Sequence, residues 1–171
     1  VLFRSFPQMP GIPSARGPTS PEFSTLRAAG NLGKILRSGV TSIACPGGTW
    51  FIDVALRDAV EAGLIEGPRI NCAGRFIITY GSIIDSEPSW VGTPEHSIGK
   101  LCNNVSDMIT EVRRQCKHGV NFIKVADSQN GETQTISREE LEAVVGEAHR
   151  RNAPVAIHSR GAGSTRAAAQ A

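Results

Sequence analysis

Short apolar segments alternate with longer amphipathic ones along most of the sequence, and this alternation limits the folds that the chain can adopt. Four apolar segments of strand length lie at residues 40–45, 69–73, 121–127 and 154–158. Helical patterns of about 10 to 15 residues separate them. Such spacing is typical of right-handed βαβ crossovers, so it predicts an α/β fold with about four parallel strands alternating with helices. A doubly wound sheet and part of a (β/α) barrel both satisfy it.

The two ends of the predicted domain differ in character. Residues 1–22 contain many prolines and few regularly spaced apolar residues, which predicts a disordered segment. Its first five residues resemble a translated sequencing adapter, so the segment need not belong to the native protein. Residues 23–171 are expected to form one domain. Within it, residues 74–93 show no clear period and predict a long functional loop or lid.

The charge balance argues against several classes of partner. The chain has 18 basic and 16 acidic residues, a net charge of +2, and the basic residues are scattered. This pattern argues against a nucleic-acid or membrane partner and favours a small-molecule substrate. No apolar run approaches the roughly 20 residues that span a bilayer, and no secretory signal is recognisable. The expected location is therefore cytoplasmic.

Two residues at predicted strand ends suggest a chemistry. Lys124 is expected to end one strand, and His158, 34 residues later, is expected to end the next. The carboxyl ends of parallel strands lie on one side of a barrel, so both side chains are expected in one cleft. Burial favours the neutral amine of a lysine, which can take up carbon dioxide to give a carbamate that bridges two divalent ions. A neutral imidazole is a zinc ligand.

Other interpretations of these residues stay open at this point. Lys124 could extend from a strand end to solvent, and His158 could be a core histidine with a structural partner. Three further residues are candidates for the same site. Asp127 and Arg160 follow the two strands on loops, where they could orient a water molecule or bind a substrate carboxylate. Tyr80 could donate a hydrogen bond to a substrate carbonyl.

Several short motifs, in their order and spacing, resemble the metal-dependent amidohydrolase superfamily, in particular its imidazolonepropionase-like and Xaa-Pro dipeptidase-like branch. They lie at residues 36–42, 56–63, 67–70, 73–75, 122–125, 139–141, 147–151 and 155–158. The resemblance covers about residues 24–170. It implies part of a TIM-like (β/α)8 barrel, with Lys124 carboxylated and bridging two metal ions and His158 binding one of them. One or two divalent ions, with zinc as the expected metal, and carbon dioxide are the implied cofactors.

The resemblance also implies a hydrolase, in which metal-activated hydroxide attacks an amide, cyclic amide, dipeptide or ester bond. The His-x-His pair of the family's first strand has no counterpart, and its sixth-strand histidine and eighth-strand aspartate would lie beyond Ala171. We therefore expect a fragment truncated at both ends that is inactive alone, from a full-length protein that can form homo-oligomers. Tyr80-Gly81-Ser82 replaces the Gly-Gly-His of many relatives, so their specificity does not transfer.

An alternative of another class is a Schiff-base lyase. Phe122-Ile123-Lys124 also resembles the strand-end lysine of class I aldolases such as deoxyribose-phosphate aldolase, where a depressed pKa makes the amine nucleophilic. Those enzymes continue with Thr-Ser-Thr-Gly, whereas this chain continues with Val-Ala-Asp-Ser. Loss of activity on chelation would support the hydrolase, and borohydride trapping of a carbonyl substrate would support the lyase.

Overall fold

A computed structural model describes residues 20–85, 88–91, 99–128 and 133–171 of the chain. Helices and strands alternate as predicted except where three strands follow one another between the second and third helices, and all pairs of the named strands are parallel. The described residues contain six strands instead of about four. In chain order the elements are α1 (Pro21–Arg37), β1 (Ser42–Cys45), α2 (Ile52–Glu61), β2 (Arg69–Cys72), β3 (Phe76–Ile78), β4 (Gly99–Leu101), α3 (Val105–Lys117), β5 (Ile123–Ala126), α4 (Arg138–His149), β6 (Val155–His158) and α5 (Ala162–Gln170).

The strands form two sheets that are joined by one bent strand. β1 pairs with β2, and β4, β3, β5 and β6 form a second sheet in that spatial order. Only residues 73–75 separate β2 from β3. The Asn121 N–H donates to the Cys72 carbonyl at 2.8 Å, and further along the same two segments Val125 pairs with Ile77. β2 and β3 are therefore two parts of one strand, with Gly74 at the bend, where its φ is +70°.

The predicted loop at residues 74–93 is wrong in its first part, because β3 lies within it. The apolar run that forms β3 is only three residues long and lies between Gly74 and Gly81, so its sequence is typical of a loop. It is nevertheless central in its sheet, between β4 and β5, and Ile77 is fully buried. Residues 79–85 and 88–91 are mostly turns, and the rest of the predicted lid lies outside the described residues.

The first helix begins within the segment that was predicted to be disordered. The Ser20 hydroxyl accepts a hydrogen bond from the Phe23 N–H at 3.3 Å and caps α1. Pro21 lies in the first turn, where the N–H that proline lacks would have no helical partner. Pro21 and Glu22 therefore belong to α1 instead of the predicted disordered segment, whose residues 1–19 lie outside the described part of the chain.

A capping box begins the fourth helix. The Ser137 hydroxyl accepts from the Glu140 N–H at 3.2 Å, and the Glu140 carboxylate accepts from the Ser137 N–H at 2.8 Å. These two bonds satisfy two backbone donors at the start of α4. They fix the point at which the segment after β5 becomes helical.

Each sheet has an apolar core on its helix-facing side. The first core lies between the β1–β2 sheet and helices α1 and α2, with Leu32, Ile43 and Leu56 among its buried residues. The second lies between the other sheet and α3, α4 and α5, and it includes Ile123 and Val125. In the described ranges, no helix combines the length and apolar character that a membrane-spanning helix requires.

Candidate functional site

Lys124 lies on the face of β5 that is turned away from the helices. Ile123 and Val125 pack into the helix-facing core, and side chains alternate along a strand, so Lys124 and Ala126 point to the opposite face. Lys124 is the second of the four residues of β5, which corrects the prediction that it ends the strand. Both Lys124 and Ala126 are buried.

The pairing of β5 with β6 relates Lys124 to His158. Lys124 lies opposite Ala156, and Ala126 lies opposite His158. Opposite residues of parallel strands have their side chains on the same face, so Lys124 and His158 share the face turned away from the helices. They are offset by two residues along the strands and by one strand spacing. This offset corresponds to about 8 Å between their Cα atoms, a distance that a lysine side chain leaning along its strand largely spans.

An aromatic ring and a glycine form one wall beside the amine. The Nζ of Lys124 lies 5.8 Å from the centroid of the Phe76 ring, which comes from β3. Gly47 lies against the same ring, because a methyl group at that position would come within 2.1 Å of it. The sequence placed Phe76 in a loop, so this contact was not predicted. Its only sequence signal is the apolar Phe-Ile-Ile run.

Burial changes the protonation of Lys124. The residue is 7% exposed, and the loss of hydration lowers the pKa of its amine. The neutral amine is therefore more accessible near neutral pH than that of an exposed lysine. A neutral amine is needed both for a carbamate and for a Schiff base.

His158 is the last residue of β6, as predicted. It is half-buried, and its carbonyl accepts a hydrogen bond from the Asp127 N–H at 3.0 Å. This bond continues the pairing of β5 and β6 to the carboxyl ends of the two strands. The strand end that carries His158 is thus held against the residue that follows β5.

Asp127 is fully buried at the position after β5 where the sequence predicted a loop residue. Its Oδ1 accepts three hydrogen bonds, from the Ser128 N–H at 2.8 Å, the Thr135 N–H at 2.6 Å and the Thr135 hydroxyl at 2.7 Å. Burial alone would raise the pKa of Asp127, but the hydroxyls of Ser164 and Thr135 and the two N–H groups lower it below its ordinary value. The carboxylate is therefore ionised although it is buried.

Tyr80 and Arg160 follow the ends of two strands. Tyr80 comes after β3, is 54% exposed, and its N–H donates to Asn103 Oδ1 at 3.0 Å. Arg160 is exposed and lies between β6 and α5, two residues after His158. Segments that follow the carboxyl ends of parallel strands lie on the same rim. Both residues are therefore on the rim that His158 occupies.

The residues at this site supply part of a metal-binding set. Within the described residues, no group of three or more histidine, cysteine, aspartate and glutamate side chains could hold a metal ion. Lys124 and His158 contribute one amine and one imidazole on a shared face. A carbamate on Lys124 would add oxygen donors, whereas zinc sites use three or four protein ligands. The pair thus fits a portion of a metal site.

Comparison with known proteins gives matches among solved structures. No protein-family model matches the chain, and no curated protein matches it significantly. The chain is similar to the structure of a Xaa-Pro dipeptidase with bound methionine, with 26% identity and a TM-score of 0.76, over 91% of this chain and 41% of that one. An amidohydrolase matches with 25% identity and a TM-score of 0.75, over 89% and 40%.

A third match is the ochratoxinase of A. niger, with 25% identity and a TM-score of 0.76, over 89% of this chain and 39% of that one. The chain therefore spans about 40% of the length of the structures it matches. The resemblance drawn from the sequence motifs is confirmed at the level of the fold, which is part of a TIM-like barrel.

Proposed function

Because the chain shares the fold of amidohydrolases and Xaa-Pro dipeptidases along most of its length, we propose that it belongs to a metal-dependent hydrolase of amide or dipeptide bonds. The observation that carries this proposal is the buried Lys124 on the same strand face as His158. Neither the fold nor the lysine would be sufficient alone, because one fold hosts many reactions.

In this proposal Lys124 acts as a carbamate. Its lowered pKa favours the neutral amine, which attacks the carbon of carbon dioxide and loses a proton to solvent. The product is an anionic group with two oxygen donors in place of a cation. The imidazole of His158 provides a nitrogen donor two residues along the same face. A bound divalent ion, zinc in our proposal, would lower the pKa of water and polarise the scissile carbonyl.

The substrate is a small molecule that enters from the rim. Arg160 is exposed there and can bind a substrate carboxylate through two parallel N–H groups. Tyr80 is exposed after β3 and offers a phenolic hydroxyl to a substrate carbonyl. A dipeptide presents both groups, since it has a carboxylate at one end and a scissile carbonyl nearby.

Ser82 is a reason to expect a substrate different from that of many relatives. It stands where the resemblance implies a histidine, and it is buried. Its hydroxyl accepts from the Thr79 N–H at 2.8 Å and donates to the Thr79 carbonyl at 2.7 Å. The hydroxyl is therefore used within its own turn instead of contacting a substrate.

The carbamate can be tested on the chain without knowledge of the substrate. After addition of 13C-labelled bicarbonate and zinc, we expect a carbamate carbon signal in the 13C NMR spectrum of the wild type. Lys124→Met should abolish this signal and weaken zinc binding in calorimetry by at least tenfold, since one ligand is lost. Lys117→Met is the matched control, because Lys117 is exposed at the end of α3. Absence of the carbamate signal in the wild type would contradict the proposal.

A Schiff-base lyase is the second candidate, and the buried amine of Lys124 is the observation that favours it. Borohydride reduction in the presence of small aldehydes and ketones would trap the substrate on Lys124 of a lyase. We expect no such adduct in the wild type beyond the labelling seen in Lys124→Met. An adduct that is specific to Lys124 and insensitive to chelators would favour the lyase over the hydrolase.

A further inference from the structure

Asp127 joins three segments that end at the same rim. Its N–H donates to the His158 carbonyl at the end of β6, and its carbonyl accepts from the Ile83 N–H, both at 3.0 Å. Asp127 itself directly follows β5. The backbone of this one residue therefore connects the carboxyl end of β5 with that of β6 and with the turn after β3.

The carboxylate of Asp127 extends these connections. Through Oδ1 it holds Ser128 and Thr135, and the Thr79 hydroxyl in turn donates to the Thr135 carbonyl at 2.9 Å. The second oxygen, Oδ2, is buried and has no hydrogen-bond partner among the described residues. The same holds for the hydroxyl of Ser164, which is close enough to lower the pKa of Asp127.

Ser164 places this carboxylate at the start of α5. The N-cap residue of α5 is Gly161, which provides no side-chain cap, and Ser164 is the third residue of the helix. A negative charge near the N-terminus of a helix is favourable because the first N–H groups are unpaired. Asp127 therefore holds the His158 end of the loop between β6 and α5 by a backbone bond, and its carboxylate lies near Ser164 in the first turn of α5. Arg160 lies between these two points.

We propose that Asp127 is a positioning residue that, through its backbone bond to His158 and its carboxylate near Ser164, fixes His158 and Arg160 relative to Lys124. This inference rests on the proposed function for its consequence, since it assigns the residue that aligns the metal and substrate side chains. Asp127 does not touch substrate in this role. This positioning role replaces the direct role in orienting a water molecule that the sequence suggested for Asp127.

The test compares Asp127→Asn with Ser137→Ala. The asparagine keeps the size of the side chain and removes its charge. The alanine removes the cap of α4 and lowers stability, so it controls for a general loss of stability near the same loop. The first readout is the ring signals of His158 in 15N-histidine-labelled protein, assigned with His158→Gln. The second is zinc affinity by calorimetry.

In Asp127→Asn we expect shifted His158 ring signals and a zinc affinity that is lower by about 10- to 100-fold, the range seen when a residue supporting a metal ligand is changed. Ser137→Ala should leave both readouts unchanged. Should Asp127→Asn fail to fold, Ser164→Ala takes its place, with smaller shifts of the same signals. If Asp127→Asn folds and its His158 signals match those of the wild type, the inference is overturned. It is also overturned if Asp127→Asn does not fold and the His158 signals of Ser164→Ala are unshifted.

The two proposals fail in different ways. If the wild type forms no carbamate, the proposed metal-dependent function is overturned, while the His158 signals still decide whether Asp127 positions the loop. If zinc binds and the signals do not move in Asp127→Asn, only the positioning role is overturned. Equal shifts in Asp127→Asn and Ser137→Ala would assign Asp127 a general structural role and also overturn the inference.

Discussion

The strands of the two sheets are buried to different extents. In β1 and β2 exposed and buried residues alternate, so only the helix-facing side is covered. In β5 all four residues are buried, so both sides are covered. The face turned away from the helices thus carries the exposed Ser42, Ala44, Arg69 and Asn71 in one sheet and the buried Lys124 and Ala126 in the other. An environment that can change the pKa of a lysine exists only where this face is covered.

The largest expected effect concerns the helix-facing side, which is buried in both sheets. Ile43 of β1 and Ile123 of β5 are both buried on the helix-facing side. We expect Ile43→Ala and Ile123→Ala each to lower the free energy of unfolding by about 2–5 kcal/mol, because each leaves a cavity in a packed core. Urea denaturation followed by circular dichroism measures this. A much smaller effect at Ile43 would mean that the first core contributes little to folding.

A smaller effect is expected on the opposite face, where the two sheets differ in burial. Ala44 of β1 is exposed and Ala126 of β5 is fully buried, although both point away from the helices. Ala126→Val should cost about 1–3 kcal/mol because the extra methyl groups overfill a packed site. Ala44→Val should stay within about 0.5 kcal/mol of the wild type, as exposed substitutions usually do. Similar losses for both variants in urea denaturation would show that the face of β1 is covered in solution.

The smallest expected effect concerns two buried carboxyl groups whose pKa values are shifted in opposite directions. Burial raises the pKa of Asp53, on α2, despite hydrogen bonds from the Gly74, Val54 and Ala73 N–H groups. Hydrogen bonds from Arg113, Arg150 and Arg151 lower the pKa of Glu147, on α4, to about 2. The unfolded values are about 3.9 for aspartate and 4.3 for glutamate.

The two shifts have opposite consequences for stability. Glu147 stabilises the fold fully above its unfolded pKa, and this contribution is lost as the pH falls towards about 2. For Asp53 the contribution is largest below its unfolded pKa and is lost as the pH rises through the raised folded value. Urea titrations at several pH values measure these contributions. The stability advantage of the wild type over Glu147→Gln should shrink on acidification, whereas the stability of the wild type relative to Asp53→Asn should increase. If both stability differences changed with pH in the same direction, these assignments would be contradicted.

The sequence was sufficient to predict elements that are defined by local signals. α3 is an example, because the helical spacing of Ile109 and Val112 and the glycine that follows the helix, Gly119, can be read directly from the sequence. β3 was missed because three apolar residues between glycines carry little local information, and its pairing with β5 joins residues 48 positions apart, Ile77 and Val125. Strand identity in this case depends on a partner that is remote in the sequence.

The same distinction holds for the candidate site. Lys124 and His158 were identified because each lies in a short apolar strand and their strands are consecutive in the alternation. The surroundings of these residues could not be predicted, since Phe76 and Ser164 approach Lys124 and Asp127 only through folding. Chain spacing also could not distinguish an exposed Asp127 from a buried one, because this depends on how residues 133–135 fold back over it.

The close approach of Gly47 to the Phe76 ring has an evolutionary consequence. Any side chain at position 47 would collide with this ring, which borders the amine of Lys124. Positions 47 and 76 are therefore expected to covary among homologous sequences, with a larger residue at one accompanied by a smaller residue at the other. The side chains at positions 47 and 76 determine how much apolar surface borders Lys124. Homologues with a larger residue at position 47 and a smaller one at position 76 are therefore expected to differ in the pKa of this amine.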